Sequence, residues 1–381
     1  MTERLSTLLA TEADAVDVPE ARPDLIIRRA RSFRLRRRAT RGVVGVAAAA
    51  IVAAGVGLLH LDDSGTVASA QDRFENAAAV PAYGTYGAFA AGSTIYIGNH
   101  KVHFEEKIKS IYYTSEGVLI RMGRRSYLDE PGPSHYTLIH PDGTTRQIDL
   151  HMGDRVPATD PQSPDIAYLE PTGSRWSFVV VDLRTGREIA RKVVDGRFTW
   201  GGWEAPPASM SGTRVWGLFD EGWREFDWST GQTRLVPGTR GAVFEAAHGR
   251  YLSTGEDGPS LTVADFATGA TVRTTPSRGE ETVATFSPDG RFLRISGYLT
   301  YNEKGELAIK PAPSEFLDLR SGQTTELPGR VYGWTPDGHT LSVDAKDDRI
   351  TVCDPQDGSC DRIELEIGDG AVKLGGASYE S

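Results

Sequence analysis

FSPDGRFLRI at residues 286–295 and FLDLRSGQTTEL at residues 316–327 are the two phrases whose reading decides the fold. Each is a pair of strand-forming runs joined by a turn that ends in glycine, at Gly290 in the first and Gly322 in the second. Apolar residues lead up to an Asp, a Gly follows that tolerates positive φ, and strand formers resume beyond it. That is the signature of an antiparallel hairpin.

Both phrases recur. The second returns as IHPDGTTRQI (139–148), VVDLRTGREI (180–189), FDWSTGQTRL (226–235), VADFATGATV (263–272) and TVCDPQDGSCDRI (351–363). The turn glycines Gly143, Gly186, Gly231, Gly269, Gly322 and Gly358 are spaced 43, 45, 38, 53 and 36 apart. Ahead of each lies a copy of the first phrase. WTPDGHTLSV (334–343) is clear, SEGVLI (115–120), SGTRVWGL (211–218) and AHGRYLS (247–253) are degraded, and SPDIAYL (163–169) lacks the glycine. Two hairpins per unit make four strands per unit, at a period near 43 residues. A four-stranded sheet must bury both faces against neighbours, which is what a propeller blade does.

The F/W-[ST]-P-D-G turn followed by D-x-x-[ST]-G resembles the blades of TolB-like and WD-repeat-like propellers. The chain as a whole resembles bacterial single-pass membrane proteins that carry such a propeller outside the membrane. The resemblance spans roughly residues 85–370 and implies architecture, not activity. The Trp-Asp and Gly-His pairs of true WD-repeat blades do not recur in register. The fold class is therefore all-β. Six units occupy about 108–368; STIYIGNHKVHFE (93–105), turning at Gly98–Asn99, and a strand within Gly370–Gly376 supply a composite seventh blade. A six-bladed ring with accessory strands is the alternative.

Upstream the chain changes character. RRARSFRLRRRATRGVVGVAAAAIVAAGVGLLHLDD (28–63) holds seventeen residues, Val43–Leu59, without a charged side chain. Extended to residues 42–61 it reaches about twenty, the length that crosses a hydrocarbon layer of roughly 30 Å. Eight Arg lie within Arg28–Arg41 and Asp62–Asp63 follow the apolar run, an asymmetry that sets the N-terminus inside. A buried helix of a soluble domain is the plain alternative. Ala68-Ser69-Ala70 before Gln71 has the shape of a signal-peptidase site. The long apolar run and the late start of the charged region nevertheless read as a retained signal-anchor. The expected organisation is a cytoplasmic segment (1–41), a transmembrane helix (42–61), a linker (62–84) and an extracytoplasmic propeller (85–381).

In the cytoplasmic segment Leu5, Leu8, Leu9 and Val16 fall at helical spacing, and a second helix fits Leu25–Arg38 behind Asp24. A tail lying on anionic lipid heads is one reading, a docking helix for a cytosolic regulator the other. Charge separates along the chain. Residues 1–60 carry ten Arg against six acidic residues, +4, so of the total −10 the remainder holds −14. An acidic body argues against nucleic acid as a partner.

Strands A to D of a blade run from axis to rim, so A–B and C–D turns share one face and B–C and D–A loops share the other. From first to second turn glycine the separation is 19 at Gly212–Gly231, 20 at Gly249–Gly269 and 20 at Gly338–Gly358, but 26 at Gly117–Gly143 and 32 at Gly290–Gly322. The surplus falls in two B–C loops, RSYLDEPGPSH (125–135) and GYLTYNEKGELAIKPAP (297–313); DGRFTWGGWEAPPAS (195–209) is a long D–A connection. All three leave the same face and carry Tyr127, Trp200, Trp203, Tyr298 and Tyr301, the candidate ligand-binding residues. Packing of both Trp beneath their loop, and both Tyr on a solvated hairpin, is the competing reading.

Cys353 and Cys360 flank the last hairpin, at positions equivalent to Val181 and Glu188, which face each other across a ladder. A disulfide suits an oxidising exterior; free thiols or a metal site are the alternatives, and no Cys or His lies near in sequence to complete a metal site. His100 and His103, three apart on a strand, point to opposite faces and read as structural. The acidic turn Asp354–Asp361 lacks the Gly and Glu positions of an EF loop. No nucleophile elbow, phosphate-binding loop or dinucleotide fingerprint occurs. No catalytic residue, metal ligand or cofactor is assigned. The expected function is that of a membrane-anchored propeller that binds or senses an extracytoplasmic protein or glycan without catalysis. Its rivals are an anti-sigma-like transmembrane regulator acting through residues 1–41, and a propeller hydrolase or carbohydrate-acting protein with carboxylates at the channel mouth.

Overall fold

A computed structural model describes residues 83–125, 134–150, 152–153, 155–199, 204–239, 245–254, 260–276, 281–301, 307–310, 314–327 and 332–376. Six four-stranded sheets and one five-stranded sheet succeed one another, all with antiparallel pairing. Blade 1 is composite. Its strands B, C and D are Ala88–Ala91, Thr94–Ile97 and His100–His103, and its innermost strand A is Val372–Leu374 from the other end of the chain. Blades 2 to 7 follow over 107–148, 158–194, 208–235, 246–276, 281–327 and 333–364. The blade count is seven.

The ring closes because each joint is filled. Among the described residues there are seven buried apolar clusters, and each joins one pair of neighbouring blades. Ile95 and Val102 meet Ile108 and Ile120 between blades 1 and 2. Leu119 and Leu138 meet Ile166 and Val179, and Phe178 and Val180 meet Val215 and Phe226. Trp216 and Trp223 meet Tyr251 and Phe266 between blades 4 and 5, with the Trp216 and Phe266 rings stacked 4.6 Å apart. Leu252 and Val263 meet Leu293 and Leu317, and Phe316 meets Trp334 edge-on. Leu341 and Val352 meet Phe89 and Tyr96, which joins blade 7 to blade 1. Apolar positions on both faces of every sheet are thereby removed from water, the dominant favourable term in folding.

The turn motifs have a physical basis. In D-x-x-[ST]-G the Asp carboxylate accepts the backbone N–H two or three residues on: Arg184 on Asp182 at 2.9 Å, Ser229 on Asp227 at 3.0 Å, Thr268 on Asp265 at 2.8 Å and Arg320 on Asp318 at 2.7 Å. The Gly N–H then donates to the Asp carbonyl, at 2.8 Å for Gly186, Gly231 and Gly269. That closure needs the glycine in the left-handed region, where Gly186, Gly231, Gly269 and Gly322 sit at φ 69–78°.

The A–B turns also touch one another around the short-turn face. Ser115 N–H donates to the Ser163 carbonyl at 3.0 Å, and Gly212 N–H to Asp160 Oδ2 at 3.0 Å. His248 lies over Gly290 and Asp289 over Gly338. A glycine is therefore required there twice over. A Cβ on Gly290 would sit 2.7 Å from the His248 Cβ, whereas one on Gly231 would meet nothing within 4 Å, although both residues hold positive φ (66° and 71°). Gly231→Ala should cost about 1 kcal/mol from backbone strain alone. Gly290→Ala should cost a further ~1–3 kcal/mol of overpacking, read as a lower urea midpoint at unchanged m-value. Equal costs would show that the turns do not bear on one another.

Two expectations need amendment. The stretch 297–313, read as a loop, is largely a β-hairpin: strand B of blade 6 runs Phe292–Tyr301 and pairs with Leu307–Lys310. The linker read over 62–84 overlaps a helical turn, Tyr83–Tyr86, that docks on the ring through the Tyr83 hydroxyl to the Gly117 carbonyl at 2.8 Å. Cys353 and Cys360 pair across strands C and D of blade 7 and are joined by a disulfide, with Cα atoms 4.0 Å apart; Val181 and Glu188 are partners likewise. Among the described residues no helix is long and apolar enough to cross a membrane. The span read over 42–61, the segment 1–41 and the Ala70–Gln71 bond lie outside the described residues.

Candidate functional site

The ring has two unlike ends. On the long-loop face the D–A insertion after blade 3 leaves from a fixed stem. Arg197 and Thr199 donate backbone N–H groups to Glu221 Oε1 and Asp220 Oδ1, both at 3.1 Å, and the Thr199 hydroxyl reaches Asp220 Oδ2 at 2.9 Å. The Phe198 ring stands edge-on to Trp176 at 5.7 Å. These contacts pin the insertion to the B–C turn of blade 4 before it departs.

The two blades that carry B–C insertions each bury an arginine at the fourth position after the A–B glycine. Arg121 follows Gly117 and Arg294 follows Gly290. Arg121 is 1 % exposed; its Nε donates to Ser134 Oγ at 2.9 Å, the closing end of its insertion. Arg294 is 6 % exposed and donates through Nη1 to the Tyr332 carbonyl, where the chain enters blade 7. Burial pushes the Arg294 guanidinium down to about 10, against the pull of Glu245. It is charged at neutral pH all the same. Each arginine thus holds the base of the long-loop face rather than offering a charge to a ligand.

Of the candidate binding residues, Tyr127, Trp200 and Trp203 lie outside the described residues. Tyr298 and Tyr301 lie on the blade 6 hairpin, opposite Lys310 and Leu307. They stand three positions apart on the strand Phe292–Tyr301, at separate rungs of the ladder.

At the other end, the inner strands surround an axial recess that no sequence signal announced. Tyr112, Ala158, Ser209, Ala246, His248 and Pro288 are among the residues that line it, and among the described residues that line it there is no carboxylate. Pro161, His248 and Pro288 belong to A–B turns, so the recess lies toward the short-turn face and not under the insertions. His248 holds φ 48° in a two-residue turn with Gly249. The Tyr112 hydroxyl and His248 Nδ1 are buried without a hydrogen-bond partner. Small side chains and strand edges make a neutral cup suited to water or a small uncharged solute.

Elsewhere, two of the perturbed carboxylates are turn caps. Ser229 donors hold Asp227 below the usual range, and Arg184 donors outweigh burial at Asp182. Among the described residues no group of three His, Cys, Asp or Glu is placed to hold a metal.

No protein-family model and no curated protein sequence matches the chain. Similar solved structures include TolB from Acinetobacter baumannii, at 15% identity and a TM-score of 0.37, covering 64% of this chain and 63% of that one. Hydrazine synthase from Kuenenia stuttgartiensis is 14% identical with a TM-score of 0.41, covering 65% and 77%. The Cps50 (Swd1) propeller domain from Myceliophteria thermophila is 9% identical with a TM-score of 0.39, covering 71% and 90%. The assignment of the fold rests on the seven sheets and their closed joints.

Proposed function

We propose that the chain is a single-pass membrane protein, N-terminus inside, whose extracytoplasmic propeller binds a protein partner through its long-loop face. Residues 42–61 form the span, and the basic residues 28–41 lie on the anionic inner leaflet. One observation carries the binding half of this reading: the two B–C insertions and the longest D–A connection, 195–207, all leave from one face, where the D–A connections 149–157 and 236–245 also lie. Loops on a rigid scaffold are where recognition concentrates. Tyr127, Trp200, Trp203, Tyr298 and Tyr301 belong to those insertions, and aromatic residues of this kind anchor protein partners. The Cys353–Cys360 disulfide suits an oxidising compartment.

Photo-crosslinking in the native host tests this. A crosslinking residue at Arg197, whose side chain is 75 % exposed on the long-loop face, should trap one discrete protein adduct, and one at Thr230, in a C–D turn, should not. Deleting 299–309 should abolish the adduct while the unfolding midpoint moves by no more than about 2 °C. Adducts of equal yield from both faces would refute a dedicated binding face.

A further inference from the structure

We infer that the propeller hangs from the membrane by its short-turn face, so that the long-loop face points away from the bilayer and takes its partner from the aqueous phase. The inference rests on the anchor reading above and adds the orientation, which follows from where the chain joins the ring. Three contacts fix that point. The Tyr83 hydroxyl donates to the Gly117 carbonyl at 2.8 Å in the A–B turn of blade 2. Asp337 N–H, in the A–B turn of blade 7, donates to the Gly84 carbonyl at 3.1 Å. The Tyr86 hydroxyl reaches Asp361 Oδ2 at 3.1 Å, beside the C–D turn of blade 7. All three partners lie in or beside turns of the same face. The Gly87 N–H closes the helical turn on the Tyr83 carbonyl at 2.8 Å, and strand B of blade 1 then runs from Ala88 toward the opposite face.

The far end of the propeller returns to the same place. Strand A of blade 1 runs antiparallel to Ala88–Ala91 and ends beside Trp334, whose N–H donates to the Gly375 carbonyl at 2.9 Å. Gly376 lies at the axial recess with Pro288 and His248. The attachment point and the recess thus share one face, and the insertions occupy the other.

Chain length turns this into an orientation. Residues 62–82 put 21 residues between the proposed span and Tyr83; the root-mean-square reach of a random coil of that length is about 25 Å. To bring the long-loop face to the bilayer, the tether would have to cross a blade, about 15 Å wide at a strand spacing of ~4.8 Å, and climb its height of roughly 20 Å. The arrangement within easy reach puts the short-turn face down. In it the recess opens toward the membrane and is shielded from large partners. The insertions stand clear on the far side, beyond the reach of a partner confined to the lipid phase.

The test uses the full-length chain reconstituted into vesicles doped with acceptor-labelled headgroups. Single cysteines carry the donor: Thr230→Cys in a C–D turn, and Lys346→Cys in the B–C turn of blade 7, both at exposed positions. The native cysteines are paired and do not compete for label. With the two faces separated by about a strand length, roughly 20 Å, energy transfer from residue 230 should exceed that from residue 346 by at least about twofold. Equal or reversed efficiencies from protein that floats with the vesicles would overturn the orientation and leave the anchor standing. Protein that does not float would overturn both, because the anchor reading fails first.

Discussion

A chain ended at Gly370 should fail to give a cooperative unfolding transition. Val372–Leu374 is the inner strand of blade 1, and its loss uncovers the strand Ala88–Ala91, whose four residues are all at most 3 % exposed. Remaining backbone groups lose their partners at once: Gly92 N–H loses the Ala371 carbonyl (3.0 Å), the Ala88 carbonyl loses the Gly375 N–H (3.2 Å) and Trp334 N–H loses the Gly375 carbonyl (2.9 Å). Each buried group left unpaired costs about 1–3 kcal/mol. The clusters that join blade 1 to its neighbours also lose an edge, since Leu374 packs on the blade 7–1 cluster. Against a total stability of ~5–15 kcal/mol for a folded domain, the combined loss suffices to open the ring. A synthetic peptide spanning 368–381, added in trans at 100 times its dissociation constant, should restore about 2.7 kcal/mol and a sharp transition. A truncated chain that melts like the intact one would mean that the ring closes elsewhere.

That closing strand marks the limit of what the residues disclose. The hairpins were legible because their chemistry is local: an Asp that accepts its own turn's N–H groups and a Gly in the left-handed region lie within five residues of each other. The composite blade was legible in outline, through Gly98–Asn99 and the short glycine-flanked end of the chain. Its strand AFAA was not, because Ala88–Ala91 is buried on both faces and so shows no alternation. The hairpin inside 297–313 was legible as the competing reading of Tyr298 and Tyr301. Its length suggested a loop, yet Leu299, Tyr301, Leu307 and Ile309 alternate in the sequence as strand residues do. The axial recess could not have been read at all, since alanines, prolines and strand edges from several blades form it. Arg121 and Arg294 did leave a signal. Each is a lone cation in an apolar strand, VLIRM or FLRI, four residues past a turn glycine. Position in the repeat, not residue type, was the clue to their burial beneath the insertions.

Arg294 also supplies the second large effect. Its guanidinium is enclosed among blades 5, 6 and 7, with Glu245 as the charge that offsets its burial and the Tyr332 carbonyl as an acceptor. Glu245 is 1 % exposed, and its Oε1 accepts the Phe286 N–H at 2.8 Å. Removing the carboxylate's charge while the cation stays removes a through-space attraction that offsets the cation's burial, a loss of about 2 kcal/mol. Glu245→Gln, which keeps an acceptor for Phe286, should therefore lower the unfolding midpoint by roughly 5 °C. Arg294→Met, of similar length and without charge, should stay within about 1.5 kcal/mol of the parent, because desolvation then no longer opposes folding. In the Arg294→Met background Glu245→Gln should be nearly silent, a coupling of about 2 kcal/mol across the cycle. The pH dependence has a definite sign. A guanidinium whose folded value is about 10, below its ordinary value, binds fewer protons folded than unfolded between the two. Its penalty is complete below pH 10 and is relieved as the pH rises through that interval, so this residue's contribution improves with alkalinity and vanishes in Arg294→Met. Additive costs for the two substitutions would mean that Glu245 serves only as the Phe286 acceptor, and that the buried arginine is held by its carbonyl contact alone.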